Sequence, residues 1–199
     1  MDIFQYGQTE LDYLKKKDKK LGQAIERIGM IERQVIPDLF TALIHSVVGQ
    51  QISSKAAAAV WNRLLGNCGG ITPQVIASLT AEEIQKCGMT MRKANYIKNI
   101  GEAVLRGELK ISEFPGLTDD EIIKRLSSLH GIGVWTAEML LIFSLERPDV
   151  VSWGDLAIRR GMMNLYGLKT LDKTKFDRYR KRYSPYGSVA SLYLWELSV

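Results

Sequence analysis

The sequence predicts an all-α fold, and three observations support this. Apolar residues recur at helical spacing in several segments, signals that start and stop helices are frequent, and no Asn-Gly or Asp-Gly turn joins two alternating runs. Each of the five prolines fits the start of a helix or a loop. We expect about a dozen short helices and no strand pair.

Three apolar stripes mark the first helices. They run over residues 39–48, 56–64 and 97–104, with the three- and four-residue steps of a helix that buries one face. Thr80 and Glu83 form a capping box that starts another helix. Glycine accepts the left-handed conformation common at helix carboxy termini. We therefore expect helix ends at Gly66, Gly88, Gly107 and Gly167.

Composition is that of an ordinary globular domain, with 199 residues, 46% hydrophobic and 25% charged. Only two cysteines and two histidines are present, which excludes a disulfide framework, an iron–sulfur cluster and a histidine-rich zinc site. Any catalysis must then use carboxylates, hydroxyls or amines. Uncharged apolar stretches such as Met139 to Leu145 are far shorter than the roughly 20 residues that cross a bilayer. We expect a cytosolic or nuclear protein that is not secreted.

Positive charge is concentrated in the carboxy-terminal part. Residues 122–199 carry 12 basic and 7 acidic side chains, so the whole net charge of +5 lies there. A basic half favours a polyanionic partner, although a solvated surface explains the same pattern.

A glycine turn separates two predicted helices, Thr118 to Leu129, which opens with a capping box, and Val134 to about Leu145. The turn is His130-Gly131-Ile132-Gly133, whose glycines leave backbone N–H groups bare at the start of the second helix. Such amides hold a phosphate without reading a base. A glycine-linked helical hairpin in a core is the other interpretation of the same pattern.

An aspartate follows one helix and one loop later. The loop Glu146 to Gly154 contains Pro148, and Asp155 then opens a helix. A carboxylate there either caps the helix or faces the same groove as the hairpin.

These motifs together resemble the helix–hairpin–helix (HhH-GPD) DNA glycosylase superfamily, and within it the 3-methyladenine DNA glycosylase II branch. The resemblance is carried by residues 129–137, Pro148 and residues 153–160, and it continues over most of the chain in Val48-Gly-Gln-Gln-Ile-Ser53, Gly88-Met-Thr-Met-Arg-Lys-Ala94 and Tyr183-Ser-Pro-Tyr186. It implies the compact form without an amino-terminal β domain, as one glycosylase domain over residues 1–199. Its two lobes are expected at 36–111 and at 1–35 plus 112–199, with a hinge at Ser112 to Thr118 and the active-site cleft between them.

The resemblance also implies roles for individual residues. Asp155 takes the catalytic position, where a carboxylate stabilises positive charge on the sugar. Aromatic positions of the base pocket correspond to Trp135 and Trp195, while Met139 departs from the expected aromatic residue and Trp153 or Tyr193 compensates. Each tryptophan is equally suited to a core position.

Trp135 stands where strand-nicking members carry a lysine, so the resemblance implies a monofunctional enzyme.

Contacts with DNA follow from the same resemblance. Gln51 occupies the wedge position that fills the gap left by an everted base; for Gln50 and Gln51, ordinary loop polarity or helix capping is the alternative. Ser53 contacts the neighbouring backbone. Amides of Gly131, Gly133 and Thr136 meet the phosphate. A monovalent cation, Na⁺ or K⁺, is expected on the carbonyls of Ser127, Leu129 and Ile132, with no other cofactor.

The expected function is excision of alkylated purines such as 3-methyladenine and 7-methylguanine from double-stranded DNA by a monomer. Three alternatives remain open: a glycosylase of the same fold for oxidised or deaminated bases, a non-catalytic binder of damaged DNA, and an all-α scaffold for protein partners.

Overall fold

Helices make up most of the computed structural model, which describes residues 2–199. Over this range it contains twelve α-helices, one 3₁₀ helix and no strand beyond a single bridge between Ile3 and Gln34. The helices are α1 Gln8–Lys17, α2 Lys19–Ile28, α3 Leu39–Gly49, α4 Ser54–Cys68, α5 Pro73–Ser78, α6 Ala81–Gln85, α7 Met91–Leu105, α8 Asp119–Ser127, α9 Val134–Phe143, α10 Leu156–Tyr166, α11 Lys173–Tyr183 and α12 Gly187–Glu196, with the 3₁₀ helix at Ile111–Gly116. The predicted all-α class is confirmed.

Most predicted helix boundaries are found near their expected places. Both capping boxes form, at the starts of α6 and α8, and Gly167 ends α10 in the left-handed conformation. The prediction for Gly66 is wrong, because α4 continues to Cys68 and Gly69 provides its left-handed end. A helix tolerates an exposed glycine at a modest cost, so the end falls at the later glycine.

The chain forms two compact units. The first holds the residues through Val35 together with Leu141–Val199, and the second holds Ile36–Leu140. Residues 112–140 thus belong with the preceding helices, whereas the predicted boundary at 111 placed them in the other lobe. The expected hinge is instead the 3₁₀ helix: its Phe114 is fully buried, and its Glu113 pairs with Arg125 of α8 at 2.6 Å.

Helix α12 forms the centre of the first unit. Every residue from Gly187 to Leu194 is buried, since α12 packs against α1, α2, α10 and α11. Gly161 of α10 lies against α12, because a side-chain carbon at this position would overlap the carbonyl oxygen of Leu194.

Gly161→Ala tests this packing. We expect the free energy of unfolding to fall by about 2–3 kcal/mol, because a backbone carbonyl cannot move aside as a flexible side chain can. Gly66→Ala is the matched control, since nothing lies within 4 Å of that position, and it should raise stability by up to about 1 kcal/mol. Equal effects in denaturant titrations would contradict the packing described.

The second unit is built around α3 and α7. Helix α3 is buried along seven of its residues and packs against α4 and α7, while α7 also contacts α5 and α6. Within residues 2–199, no helix combines the length and the apolar character needed to cross a membrane.

Candidate nucleic-acid interface and active site

A buried side chain, a local hydrogen bond and a close aromatic ring hold the turn between α8 and α9 in place. Ile132 is buried, and its amide donates to the carbonyl of Leu129 at 3.1 Å. Gly131 has φ of 90°, and a side-chain carbon there would overlap the ring of Tyr96. Both the left-handed backbone and the close ring demand glycine at this position.

Gly133 lies in more open surroundings than Gly131. No atom lies within 4 Å of the place a side-chain carbon would take, and its carbonyl accepts the Ala137 amide at 3.0 Å as α9 begins. The first N–H groups of a helix lack intrahelical acceptors and carry the positive end of the helix dipole. Thr136 has a buried side chain but contributes one of these N–H groups. The turn therefore offers an anion site made of backbone amides.

Three carbonyls stand at the end of α8 and in the turn, those of Ser127, Leu129 and Ile132. The last carbonyls of a helix lack intrahelical donors, and Ser127 is the last residue of α8. The carbonyl of Leu129 accepts one hydrogen bond, from Ile132, which leaves its second lone pair for another partner. Among residues 2–199, no cluster of three or more His, Cys, Asp or Glu side chains is arranged to bind a metal.

The loop between α3 and α4 carries the predicted wedge. Gln51 is exposed and has φ of 58°. Ser53 is the N-cap of α4, with its hydroxyl accepting from the Ala56 amide at 3.3 Å. The hydroxyl thus caps the helix, a role that the sequence analysis did not assign to Ser53, and its contact with DNA stays a prediction.

The side-chain amide of Gln50 donates to the carbonyl of Gly131 at 2.8 Å, so the structure brings this loop against the hairpin. From α7, the Lys93 ammonium donates to the carbonyls of Val48 at 2.9 Å and Gln50 at 2.5 Å. Burial lowers the pKa of Lys93. Neither contact of Lys93 follows from the sequence pattern.

Asp155 lies in the first unit at the start of α10. Its side chain is only 6% exposed, and Oδ1 accepts from the amides of Ala157 at 2.8 Å and Ile158 at 2.9 Å. The aspartate is therefore the N-cap of α10, which is one of its two predicted roles. These two contacts hold the carboxylate in one orientation.

The loop before Asp155 is tied to the amino terminus of α12. The Ser188 hydroxyl accepts from the Val150 amide at 3.0 Å, and that of Ser191 donates to the Val150 carbonyl at 2.8 Å. Asp149 accepts from the Gly187 amide at 3.1 Å. The signal for this was two serines in an otherwise apolar helix, a pattern that sequence reasoning did not use.

Three of the four predicted pocket residues differ in how far they are exposed. Trp135, in the first turn of α9, is 47% exposed, and Met139 one turn later is half-buried. Trp195 is half-buried beside Phe143, at 5.5 Å between ring centroids.

Trp153 packs within its own unit. The Arg159 guanidinium lies 4.6 Å from its ring centroid, and Phe176 contacts it edge-on at 5.1 Å. Tyr193 is fully buried, donates to the carbonyl of Gly29 at 2.9 Å, and has a pKa raised by burial. It is a core residue, so the prediction that it compensates for Met139 is wrong.

A sequence profile of the HhH-GPD superfamily of base excision DNA repair proteins matches residues 44–185. The chain belongs to this superfamily. The matched range contains the wedge loop, the hairpin and Asp155. Every predicted contact except those of Tyr193 and Trp195 therefore lies within the shared HhH-GPD segment.

Within the HhH-GPD superfamily, the chain is similar to several proteins named as 3-methyladenine glycosylases or glycosidases. DNA-3-methyladenine glycosylase 1 of Schizosaccharomyces pombe is 39% identical over 164 residues, which cover 80% of this chain and 72% of the relative. The crystal structure of a DNA-3-methyladenine glycosidase from Bacillus halodurans matches with a TM-score of 0.87 and 36% identity, over 100% of this chain and 93% of that one. A Schizosaccharomyces pombe 3-methyladenine DNA glycosylase in complex with abasic DNA matches with a TM-score of 0.82 and 34% identity, over 95% and 96%.

Within the HhH-GPD fold, the structure groups the predicted residues by unit. The second unit holds the hairpin, the wedge loop, Trp135 and Met139, and the first holds Asp155, Trp153 and Trp195. Lys93, Gln50 and the two serines of α12 are the residues that sequence reasoning missed.

Proposed function

We propose that this HhH-GPD protein is a monofunctional DNA glycosylase that excises alkylated purines of the 3-methyladenine and 7-methylguanine type and so initiates base excision repair. The proposal rests on Asp155, which is buried and caps α10. It follows the amide-lined hairpin in the sequence of a chain that is 39% identical to a protein named DNA-3-methyladenine glycosylase 1. Its partner is double-stranded DNA that contains damaged bases.

Asp155 provides the chemistry. Breaking the N-glycosidic bond places positive charge on the sugar, and a fixed carboxylate in a dry site stabilises that charge as it develops. Oδ1 is held by two amides, so the carboxylate is oriented before the substrate arrives. An alkylated purine is cationic and leaves readily, so no general acid is required.

Binding uses the other predicted residues. The amides of Gly131, Gly133 and Thr136 grip a phosphate, and Gln51 fills the gap left by the everted nucleotide. Trp135 and Trp195 stack on the electron-poor base, with Met139 completing the pocket. Trp153, whose ring face is covered by Arg159, supports the site through packing.

The main-chain oxygens of Ser127, Leu129 and Ile132 suit a monovalent cation, since Na⁺ and K⁺ take uncharged oxygen ligands. Such an ion supplies positive charge beside the phosphate. The proposed enzyme needs no redox cofactor, acts as a monomer and works in the nucleoid or the nucleus.

A substrate panel tests the proposal. Duplexes that contain 7-methylguanine, 3-methyladenine, 8-oxoguanine or hypoxanthine are incubated with the protein, and the released bases are quantified. We expect release of the two methylpurines. Release of 8-oxoguanine or hypoxanthine alone would assign a different glycosylase activity, and binding without any release would favour a non-catalytic protein.

The strand should remain intact after base removal. Trp135 has no amine to attack the sugar, so neither nicking without added alkali nor a borohydride-trapped covalent complex is expected. Gel analysis of the reacted duplex, with and without alkali, measures this. A nick that forms before alkali treatment would contradict the monofunctional assignment.

A further inference from the structure

The conformation of Gln51 needs an external constraint. With φ of 58° it is one of two non-glycine residues of the described chain in the left-handed region, at a cost of about 1 kcal/mol. Its side chain is exposed, so its own packing does not repay this cost. Such a backbone persists where surrounding groups enforce it, and these positions cluster at functional sites.

Lys93 provides the constraint on one side. Its ammonium donates to Val48 in the last turn of α3 and to Gln50 immediately before Gln51. No carboxylate within residues 2–199 forms an ion pair with Lys93, and burial lowers its pKa. The charged group is thus committed to two carbonyls of the wedge loop.

Gln50 links the same loop to the hairpin. Its side-chain amide donates to Gly131 across 81 positions of sequence, in the turn that packs on Tyr96. Tyr96 follows Lys93 by one turn of α7. One helix therefore holds the wedge loop with Lys93 and supports the phosphate-binding turn with Tyr96.

We propose that Lys93 and Gln50 are positioning residues that fix Gln51 relative to the phosphate-binding turn. The wedge then enters the duplex at a set distance from the gripped phosphate, so that the nucleotide to be everted is defined by geometry. This inference rests on the proposed function, in which Gln51 is the wedge.

Lys98 offers a matched control on the same helix. Its ammonium donates to the carbonyls of Ala77 at 3.2 Å and Leu79 at 2.8 Å, at the end of α5. Lys98→Met removes the same kind of double contact as Lys93→Met but far from the wedge loop in sequence. A general loss of stability should appear in both variants, whereas a loss of wedge placement should appear only in Lys93→Met.

Fluorescence of 2-aminopurine placed opposite an abasic-site analogue reports wedge insertion, because the probe brightens when it is unstacked. We expect Lys93→Met to lower the signal as far as Gln51→Ala does, and the double variant to go no lower, as for two residues that act through one step. Lys98→Met should match the wild type, and Lys93→Arg should recover most of the signal. Duplex affinity should change less than about threefold while single-turnover release of methylpurine falls about tenfold.

Full signal in Lys93→Met, or additive losses in the double variant, would overturn the proposal. If Lys93→Met does not fold, Gln50→Met tests the same link at a loop side chain, with the same expected loss of signal. The fluorescence needs no base release, so a wild type that inserts Gln51 but releases no methylpurine would refute the proposed function and leave the positioning inference standing. A wild-type signal that is independent of Gln51 would refute the inference itself.

Discussion

Replacing Asp155 by asparagine is expected to abolish base release while DNA binding is retained or improved. Asparagine caps a helix about as well as aspartate, so the contacts with Ala157 and Ile158 can persist while the negative charge is lost. The loss of a preorganised electrostatic partner should slow single-turnover release at least about 100-fold. Affinity for an undamaged duplex should not fall, because a charge that repels phosphate is removed.

Two further variants separate charge from capping. Asp155→Ala should lose release to the same extent and also about 1 kcal/mol of stability. Asp172→Asn changes another helix cap, that of α11, where the side chain accepts from the Lys175 amide at 2.7 Å, and it should keep full activity. Wild-type release by Asp155→Asn would show that this residue is only a cap.

Gly131→Ala should have the second largest effect, on folding and DNA affinity together. The left-handed backbone and the overlap with Tyr96 should cost about 2–4 kcal/mol. Since the turn carries the amides that we propose to bind the phosphate, affinity for duplex DNA should drop about 100-fold. Thermal unfolding and fluorescence anisotropy measure the two effects.

Gly133→Ala isolates the phosphate contact from folding. Its new methyl group enters open space, so stability should change by no more than about 1 kcal/mol. The methyl would nevertheless cover the bare amides, and affinity should fall about tenfold. A Gly133→Ala protein with unchanged affinity would argue against a phosphate at the start of α9.

Features that depend on residues close together in the sequence were predictable. The capping boxes at Thr80 and Thr118, the hairpin turn and the cap at Asp155 each depend on local hydrogen bonds whose donors and acceptors lie within a few positions. The helix end predicted at Gly66 was wrong because a glycine permits a helix end without enforcing one.

Features that depend on distant contacts were not predictable. The contact from Gln50 to Gly131 spans 81 positions and that from Lys93 to Gln50 spans 43, so no local sequence pattern predicts them. The lobe boundary was misplaced for the same reason: Pro115 and Gly116 suggest a hinge, but the burial of Phe114 fixes that segment in the second unit. Trp153 was predicted to line the pocket, and only the structure reveals Arg159 over its ring.

We propose that the Asp155 carboxylate faces the sugar of an everted nucleotide while the hairpin amides bind a phosphate of the strand. A crystal structure with duplex DNA that carries a cationic abasic-sugar analogue tests it most directly. We expect an Asp155 carboxylate oxygen within about 4 Å of the cationic atom and a phosphate within hydrogen-bond distance of the Gly131 and Gly133 amides. A carboxylate that contacts only the α10 amides, with the sugar bound elsewhere, would contradict it.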